Sequence, residues 1–591
     1  MPNYQHFFID KTPQPFSDTL LLHGFARLLE NLGVDRGDIT LSDRGSYFAV
    51  DLAVSLEDEQ IRRAAEIAQL IPYIKTAVKE PKPLKDGEVR KEKKKIEVSG
   101  ALRFVDYEVE KAQSAAFFEA RKHGTEATPP SLEWAIYRAI NPGALQGYNN
   151  LVRDWYTARS YETLCLLLDL FSTTPNDIDG AMTTWKALDK AKGWRIQADA
   201  TALQLFNPDS GKGHNKVKGD GLSIGNLDSF WLLEYLKAAG FYAGAITRTL
   251  RESKDRKTLV ITPRALTQSE TLTVMGKFAE SMQIPLYPTQ FDILAVIRYT
   301  QSLIEHAIAP RGKYVRNHAS IKQRLAAGFQ SAFYKDMGNS AATMNISFLG
   351  LPGWVAVESQ AHVDLFIHPE TGLLVEFDKF VRQFSEKESD VPELLRPLRD
   401  FVSGDDLQAF FEFTNGFPEY AIGRKERGKY VLLLTTHFIE RIIMSQSDQK
   451  YQRILDTPGF QNIATAIRQS TVTAQYRRKK QGDRKYDVRY GLGQELARKS
   501  RYPGEFIVAL TDFLHKYNAE NAQVMETRPK PYRRSILTTD IDDIIQLIDL
   551  YGSEVVANLL IAYGYARLPQ QGEPNDDEHL PEETTVTENG K

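Results

Sequence analysis

Apolar residues recur along this chain in two rhythms. In "SDTLLLHGFARLLENLG" (Ser17–Gly33) they return every three or four positions and stop at a glycine, the pattern of a helix closed by a residue tolerant of left-handed backbone. In "GSYFAVDLAVSL" (Gly45–Leu56) they alternate, as in a strand with one covered face. With a further helix at about 57–70, these segments define a compact first unit. "TLVITPRAL" (Thr258–Leu266) predicts another strand, and "SFWLLEYLKAAGFY" (Ser229–Tyr242) predicts a helix capped by Ser229 with Gly240 past its end. The segment His362–Val381, "HVDLFIHPETGLLVEFDKFV", reads as a β-hairpin of two alternating runs around a "PETG" turn.

Beyond about residue 405 the helical rhythm takes over. "PGEFIVALTDFLHKYNAENAQVME" starts with Pro503 in a first-turn position and sets Phe506, Leu510, Phe513, Leu514 and Tyr517 on one stripe. In "TTDIDDIIQLIDLYG", Thr539 with Asp542 three residues on resembles a capping box. The fold class is therefore α+β: a mixed N-terminal body followed by an all-helical bundle. The divisions run 1–100 for an N-terminal α/β unit, 101–404 for a central α+β body and 405–568 for the bundle. An acidic tail over 569–591 has no apolar face to bury and is expected to be disordered.

Length fits this plural organisation, since 591 residues exceed what one core usually serves. No window approaches 18 uninterrupted apolar residues, so no membrane span is expected. The N-terminus lacks the basic and apolar regions of a secretory signal. The single cysteine, Cys165, sits in "YETLCLLLDLF" and is expected to be a buried small hydrophobe. It can form no internal disulfide, which points to a reducing cytoplasm.

Charge changes the picture more than composition does. The net charge is −3, but the tail 569–591 carries seven acidic residues and one lysine, leaving residues 1–568 at +3. The excess is clustered. "KPLKDGEVRKEKKK" (Lys82–Lys95) has no apolar stripe and reads as a solvated linker or hairpin tip. "QYRRKKQGDRKYDVRYGLGQELARKSRY" (Gln475–Tyr502) holds ten basic and three acidic residues, with Tyr476, Tyr486, Tyr490 and Tyr502 interleaved. Bases stack on aromatic rings while cations track phosphates, so this composition suits single-stranded nucleic acid. Arg477, Arg478, Lys479, Lys480, Arg484, Lys485 and Arg489 are its candidate contacts.

A third basic stretch, "NPDSGKGHNKVKGDGLSIGN" (Asn207–Asn226), is rich in glycine and contains three lysines and three asparagines. It is not a Walker loop, because Gly213 follows Gly211-Lys212 where a hydroxyl is needed. Nor is it a dinucleotide fingerprint, because Lys216 occupies the last glycine position. Lys212, His214, Asn215, Lys216 and Lys218 remain as candidate contacts to phosphates and base edges. "NPGALQGYN" (Asn141–Asn149) fits the same N-P-x-x-x-x-G-x-N pattern. Two unrelated turns explain the match most simply; the alternative is a shared groove to which Asn149 and Asn150 contribute.

Catalytic constellations are scarce. His362, Asp364 and His368 would share a face of the expected strand, yet no fourth metal ligand is evident. "SGDD" (Ser403–Asp406) is better explained as a helix start with acidic residues against the dipole. No nucleophile elbow occurs. No catalytic residue, metal ligand or cofactor is assigned.

The order of "NPGALQGYNNLVRDW", the glycine-lysine loop with "FWLLEYLKAAGFY", "FQSAFYKDMGNSAATMNISFLGLPGW" and a helical end at "LLIAYGYAR" resembles the large subunit of type I CRISPR Cascade complexes, of the I-B or a related cyanobacterial-type lineage. The resemblance covers roughly residues 15–568 through short motifs. It implies a non-catalytic subunit that recognises a protospacer-adjacent motif in duplex DNA and helps open the strands. It also implies a C-terminal bundle resembling the small subunit, set along the displaced single strand. The implied partners are crRNA, target double-stranded DNA, the Cascade backbone and small subunits, and a recruited nuclease-helicase or transposition module. In related systems a free small subunit arises from an internal start, for which Met444 is the candidate here. Two other classes stay open: a metal-dependent nuclease or nucleotidyl transferase built on Ser403–Asp406 or His362–His368, and a protein-only scaffold.

Overall fold

The structure, a computed structural model, describes residues 4–65, 67–76, 102–209, 228–311, 321–338, 341–444, 449–482, 484–527 and 533–568. The chain is α+β, 59% helical and 14% strand, and every strand among the described residues precedes Leu351. One antiparallel sheet runs in the order His6–Asp10, Tyr47–Leu52, Ile39–Asp43, Ala265–Thr267. A second runs Ala341–Gly350, Ala326–Asp336, Arg256–Pro263, Ala245–Thr249. The chain passes from one sheet to the other at Arg264, between the strands Arg256–Pro263 and Ala265–Thr267.

Between these sheets lies the helix Pro15–Asn31, buried on nearly every face. Its principal partner is the helix Trp231–Gly244, which is buried almost as completely. The two backbones approach so closely that a Cβ on Gly24 would sit 1.8 Å from the Leu236 carbonyl oxygen, and one on Gly240 would sit 1.8 Å from that of Leu20. Only glycine at both positions permits this approach. Gly240 thus lies inside the helix rather than past its end, and the N-cap is Phe230 rather than Ser229. Gly244 serves the same packing, since its Cβ would meet the ring of His23. That imidazole is fully buried and bonds through Nε2 to the Ile261 carbonyl at 2.7 Å, which ties the helix to the second sheet. Around this crossing a first core collects Trp155 stacked on Tyr235 at 4.5 Å and Trp185 edge-on to Trp231 at 5.0 Å. Cys165, at its margin, is half-buried, so it is less enclosed than its apolar neighbours predict.

A second core is continuous from Ile246 to Ala566. The helix Pro288–Leu303 runs through it, and Asp292 on that helix takes Lys257 at 2.7 Å and Arg399 at 2.8 Å, joining the second sheet to the helix Val391–Gly404. Helices before and after residue 405 share this core: Phe380 and Phe384 pack on Phe413 and Phe417 at centroid distances of 5.3–6.3 Å. The helix Leu407–Glu426 in turn packs on Ser553–Gly564, with Asn415 donating to Asn558 at 2.8 Å. The Pro503–Thr527 helix forms as its pattern predicts, with Phe506, Leu510, Phe513, Leu514 and Tyr517 all buried.

Two local expectations are corrected. The segment His362–Val381 is not a β-hairpin but a pair of helices, Gln360–Ile367 and Leu373–Arg382. Its buried positions, Val363, Phe366, Leu373, Leu374, Phe377, Phe380 and Val381, recur at helical spacing, and Ser359 caps the first helix by accepting from the His362 N–H at 3.3 Å. The cap on Thr538–Tyr551 also lies two residues earlier than predicted, where the Asp540 carboxylate accepts the Leu537 N–H at 2.9 Å.

Three arginines with little access to solvent share one role. Arg248 donates to the carbonyls of Ala279 and Met282, Arg256 to those of Arg138 and Ala139, and Arg468 to those of Tyr563 and Ala566. Each guanidinium therefore covers the C-terminal end of a helix, where carbonyls lack intrahelical partners and the dipole is negative. Burial pulls all three down to about 10, so they remain charged at neutral pH.

The glycine crossing gives a direct test. Gly24→Ala or Gly240→Ala is expected to cost about 3 kcal/mol or more, because a backbone carbonyl stands where the methyl must go. Gly276→Ala, in the helix Gln268–Ser281 with nothing within 4 Å of its Cβ, is expected to stabilise by about 0.5–1 kcal/mol. Urea unfolding of the three variants checks both signs.

Two buried groups in the first helix also set opposing pH dependences. Burial raises Asp18 from 3.8 to about 6, so its contribution is present below pH 3.8 and lost as pH rises through 6. Burial lowers His23 from 6.5 to about 4, so the folded state loses stability as pH falls from 6.5 towards 4. In Asp18→Asn only the second effect remains. Its stability relative to the parent is expected to fall by about 2 kcal/mol between pH 7 and pH 4, read from unfolding midpoints across that range.

Candidate nucleic-acid interface

The Gln475–Tyr502 cluster begins on the helix Val472–Gln481 and ends just past the helix Leu492–Lys499, at the residue before Pro503–Thr527. Folding sorts its residues into two sets. Tyr486 is buried with the Arg533 guanidinium 3.7 Å over its ring, Arg489 is paired with Glu520, and Lys499 binds Glu505 at 2.5 Å. Tyr486 and Arg489 are thereby tied into the bundle, while Lys499 is engaged in a surface ion pair. The other tyrosines stay outside: Tyr476, Tyr490 and Tyr502 are 48%, 49% and 56% exposed. Lys479, Arg484, Lys485, Arg498 and Arg501 are exposed with them, while Arg477 and Arg478 are partly buried. The Lys480 side chain lies outside the described residues.

The helix Val472–Gln481 packs against the C-terminal end of Leu407–Glu426. Gln475 donates to the Ile422 carbonyl at 3.2 Å, and the Lys479 ammonium reaches the Lys425 carbonyl. This brings "RKERGK" (Arg424–Lys429) beside the cluster. Arg424, Arg427 and Lys429 converge on one carboxylate, Glu388, at 2.9, 3.7 and 3.2 Å. One negative charge facing three positive ones leaves a surplus that extends the basic surface. These residues were missed in the sequence because Arg424–Lys429 lies some fifty positions from Gln475. Their signal was four basic residues in six, closing a helix. Lys425 is partly buried, and desolvation lowers its ammonium to about 8.

The second candidate region is reached only at its root. Lys212, His214, Asn215, Lys216 and Lys218 lie outside the described residues. Asn207, at the start of the stretch, is buried in a polar triad. Its amide donates to Glu234 at 2.8 Å and accepts from Lys237 at 2.7 Å, while Lys237 also binds Glu234 at 2.8 Å. A cavity of about 280 Å³ beside the triad is lined by Asn207 and Lys237 and by Asp228 and Ser229, where the described chain resumes.

Asn149 is not available to a ligand: it is buried, donates to the Ile74 carbonyl at 2.9 Å and accepts the Ile74 N–H at 3.0 Å. Its amide extends the backbone pairing of the strand Tyr73–Lys75. Asn150 is partly exposed and accepts from Arg153.

The two aspartates of "SGDD" are spent on structure. Asp405 adopts left-handed backbone (φ 65°) at the end of Val391–Gly404, and its carboxylate accepts from the Gly353 N–H and from Lys322 at 3.1 Å. Asp406 caps Leu407–Glu426 through the Gln408 N–H at 2.9 Å. Among the described residues, no group of three His, Cys, Asp or Glu is placed to hold a metal ion. No described helix is long and apolar enough to cross a membrane. No protein-family model matches the chain, and no curated protein matches it.

The lowered Lys425 ammonium makes the surface pH-sensitive in a definite direction. A polyanion favours the charged form, so affinity for a single-stranded oligonucleotide is expected to fall several-fold as pH rises from 7 to 9 through about 8. Lys425→Met should bind more weakly at pH 7 and lose most of that dependence. Fluorescence anisotropy at constant ionic strength measures both.

Proposed function

We propose that the chain is a non-catalytic, nucleic-acid-binding subunit of a crRNA-guided DNA-targeting complex, acting in the cytoplasm. One observation carries the binding part: exposed tyrosines Tyr476, Tyr490 and Tyr502 lie on a cation-rich stretch that folding joins to Arg424–Lys429. Three half-exposed aromatic rings each offer a base a stacking platform, while the surrounding cations follow the phosphates. The Cascade identity rests on the motif resemblance. In that reading guide pairing reads the sequence, the helical region holds the displaced strand, and the stretch after Asn207 takes part in motif recognition.

A non-catalytic role is supported by how the acidic residues are used. Asp405 and Asp406, the acidic pair on which a nuclease or nucleotidyl transferase would rest, hold a turn and cap a helix.

A binding titration tests both levels. For the chain alone, Tyr476→Ala/Tyr490→Ala/Tyr502→Ala is expected to weaken single-stranded DNA binding by at least about tenfold with an unchanged salt slope. Arg477→Gln/Arg478→Gln/Arg484→Gln should flatten the dependence of log K on log salt. Unaltered binding in both variants overturns the interface. For the chain co-expressed with its neighbouring subunits and guide RNA, binding should depend on the sequence flanking the target and weaken on alanine substitution of Lys212, Asn215, Lys216 and Lys218. Absence of guide-dependent binding overturns the Cascade reading while leaving the interface standing.

A further inference from the structure

The histidines singled out in the sequence come together with residues from elsewhere in the chain. A groove of about 590 Å³ is lined by His362, Asp364 and Leu365 of the helix Gln360–Ile367, by His368 and Thr371 in the turn after it, and by His437 and Arg441 of the helix Thr436–Met444. We propose that this groove binds a phosphate ester the size of a mononucleotide.

The backbone fixes how two of the imidazoles face a ligand. The Glu358 N–H donates to His362 Nδ1 at 3.2 Å, and the Glu370 N–H donates to His368 Nδ1 at 3.3 Å. A backbone N–H can only donate, so Nδ1 of each ring is the acceptor and the proton of the neutral imidazole sits on Nε2. Each ring therefore has an Nε2–H donor left to offer. His437 and Arg441, one helical turn apart, share a helix face, and the guanidinium fork matches the oxygens of a phosphate. The groove thus gathers two Nε2–H donors, a third imidazole and one guanidinium, a set that complements an oxyanion.

Two features favour an ester over a free inorganic ion. Asp364 contributes a carboxylate that accepts from Gln360 at 3.2 Å and retains lone pairs for a hydroxyl or an amino group. The volume falls within the range of about 300–1,000 Å³ typical of small-molecule sites, far more than a phosphate alone fills. Among the described residues, no group of three His, Cys, Asp or Glu is placed to hold a metal ion here.

The walls are held in register by contacts behind the groove. Glu376 accepts from the Thr435 N–H at 3.0 Å and its hydroxyl at 3.1 Å, and Phe377 meets Phe438 edge-on at 5.1 Å. The turn carrying His368 is closed by Gly372, whose Cβ would lie 2.7 Å from the backbone of His368. The groove uses different helices from the tyrosine-bearing surface, so this proposal does not depend on the nucleic-acid reading.

Isothermal titration with AMP, adenosine and inorganic phosphate tests it. Saturable one-site binding of AMP is expected, with adenosine and phosphate each weaker. The exposed-face variant His437→Gln/Arg441→Gln should weaken AMP binding by at least about tenfold, roughly 1.4 kcal/mol, with its thermal midpoint unchanged. Arg477→Gln/Arg478→Gln should leave AMP binding intact, as should added EDTA. The proposal is overturned if AMP does not saturate the parent protein, if phosphate binds as tightly as AMP, or if the groove variant binds normally. Loss of binding in Arg477→Gln/Arg478→Gln, or a requirement for added zinc, also overturns it.

Discussion

Two helices touch at backbone distance because neither carries a side chain where they cross. Gly24 and Gly240 remove the Cβ atoms that would hold Pro15–Asn31 and Trp231–Gly244 apart. Much of the N-terminal half depends on that contact. Closing the helices buries His23 against the second sheet and Trp155 against Tyr235. It also sets Glu234 and Lys237, on the same helix, into the triad with Asn207. A buried ion pair of this kind is poor evidence for net stability, but each of its polar atoms has a fixed partner, so it specifies one arrangement.

Charge is handled differently at three helix ends. Arg248, Arg256 and Arg468 each donate to carbonyls there, the helix termini supplying the negative potential. On the surface the logic reverses: Arg424, Arg427 and Lys429 crowd one carboxylate, Glu388. The difference separates cations that hold the fold from cations with charge to spare.

Much of the architecture was legible in the sequence because it rests on periodicity. The helix from Pro503 appeared with its buried stripe intact, and "SGDD" proved to be a helix boundary. Errors arose where local pattern was ambiguous. His362–Val381 alternates over short spans, and only the three- and four-residue spacing within each half, Val363 with Phe366 and Leu373 with Phe377 and Phe380, reveals helices. Gly240 looked like a terminator because a glycine ending a helix and one admitting a neighbour are identical in one dimension. At the candidate interface the sequence supplied the cations and tyrosines but could not sort them, because burying Tyr486 under Arg533 and pairing Arg489 with Glu520 are tertiary events. Asn149 misled for the same reason: its role is defined by Ile74, far away in the chain.

The buried anchor at Asn207 has an evolutionary implication. The chain leaves the described body beside the Glu234–Lys237 pair and rejoins it at Asp228, on the wall of the same cavity. Both attachment points are set by the body, through the triad and through the pairing of Asp228–Phe230 with Asp199–Thr201. Substitutions that spare Asn207, Glu234, Lys237 and the Asp228–Phe230 pairing are therefore expected to leave both attachment points in place through descent.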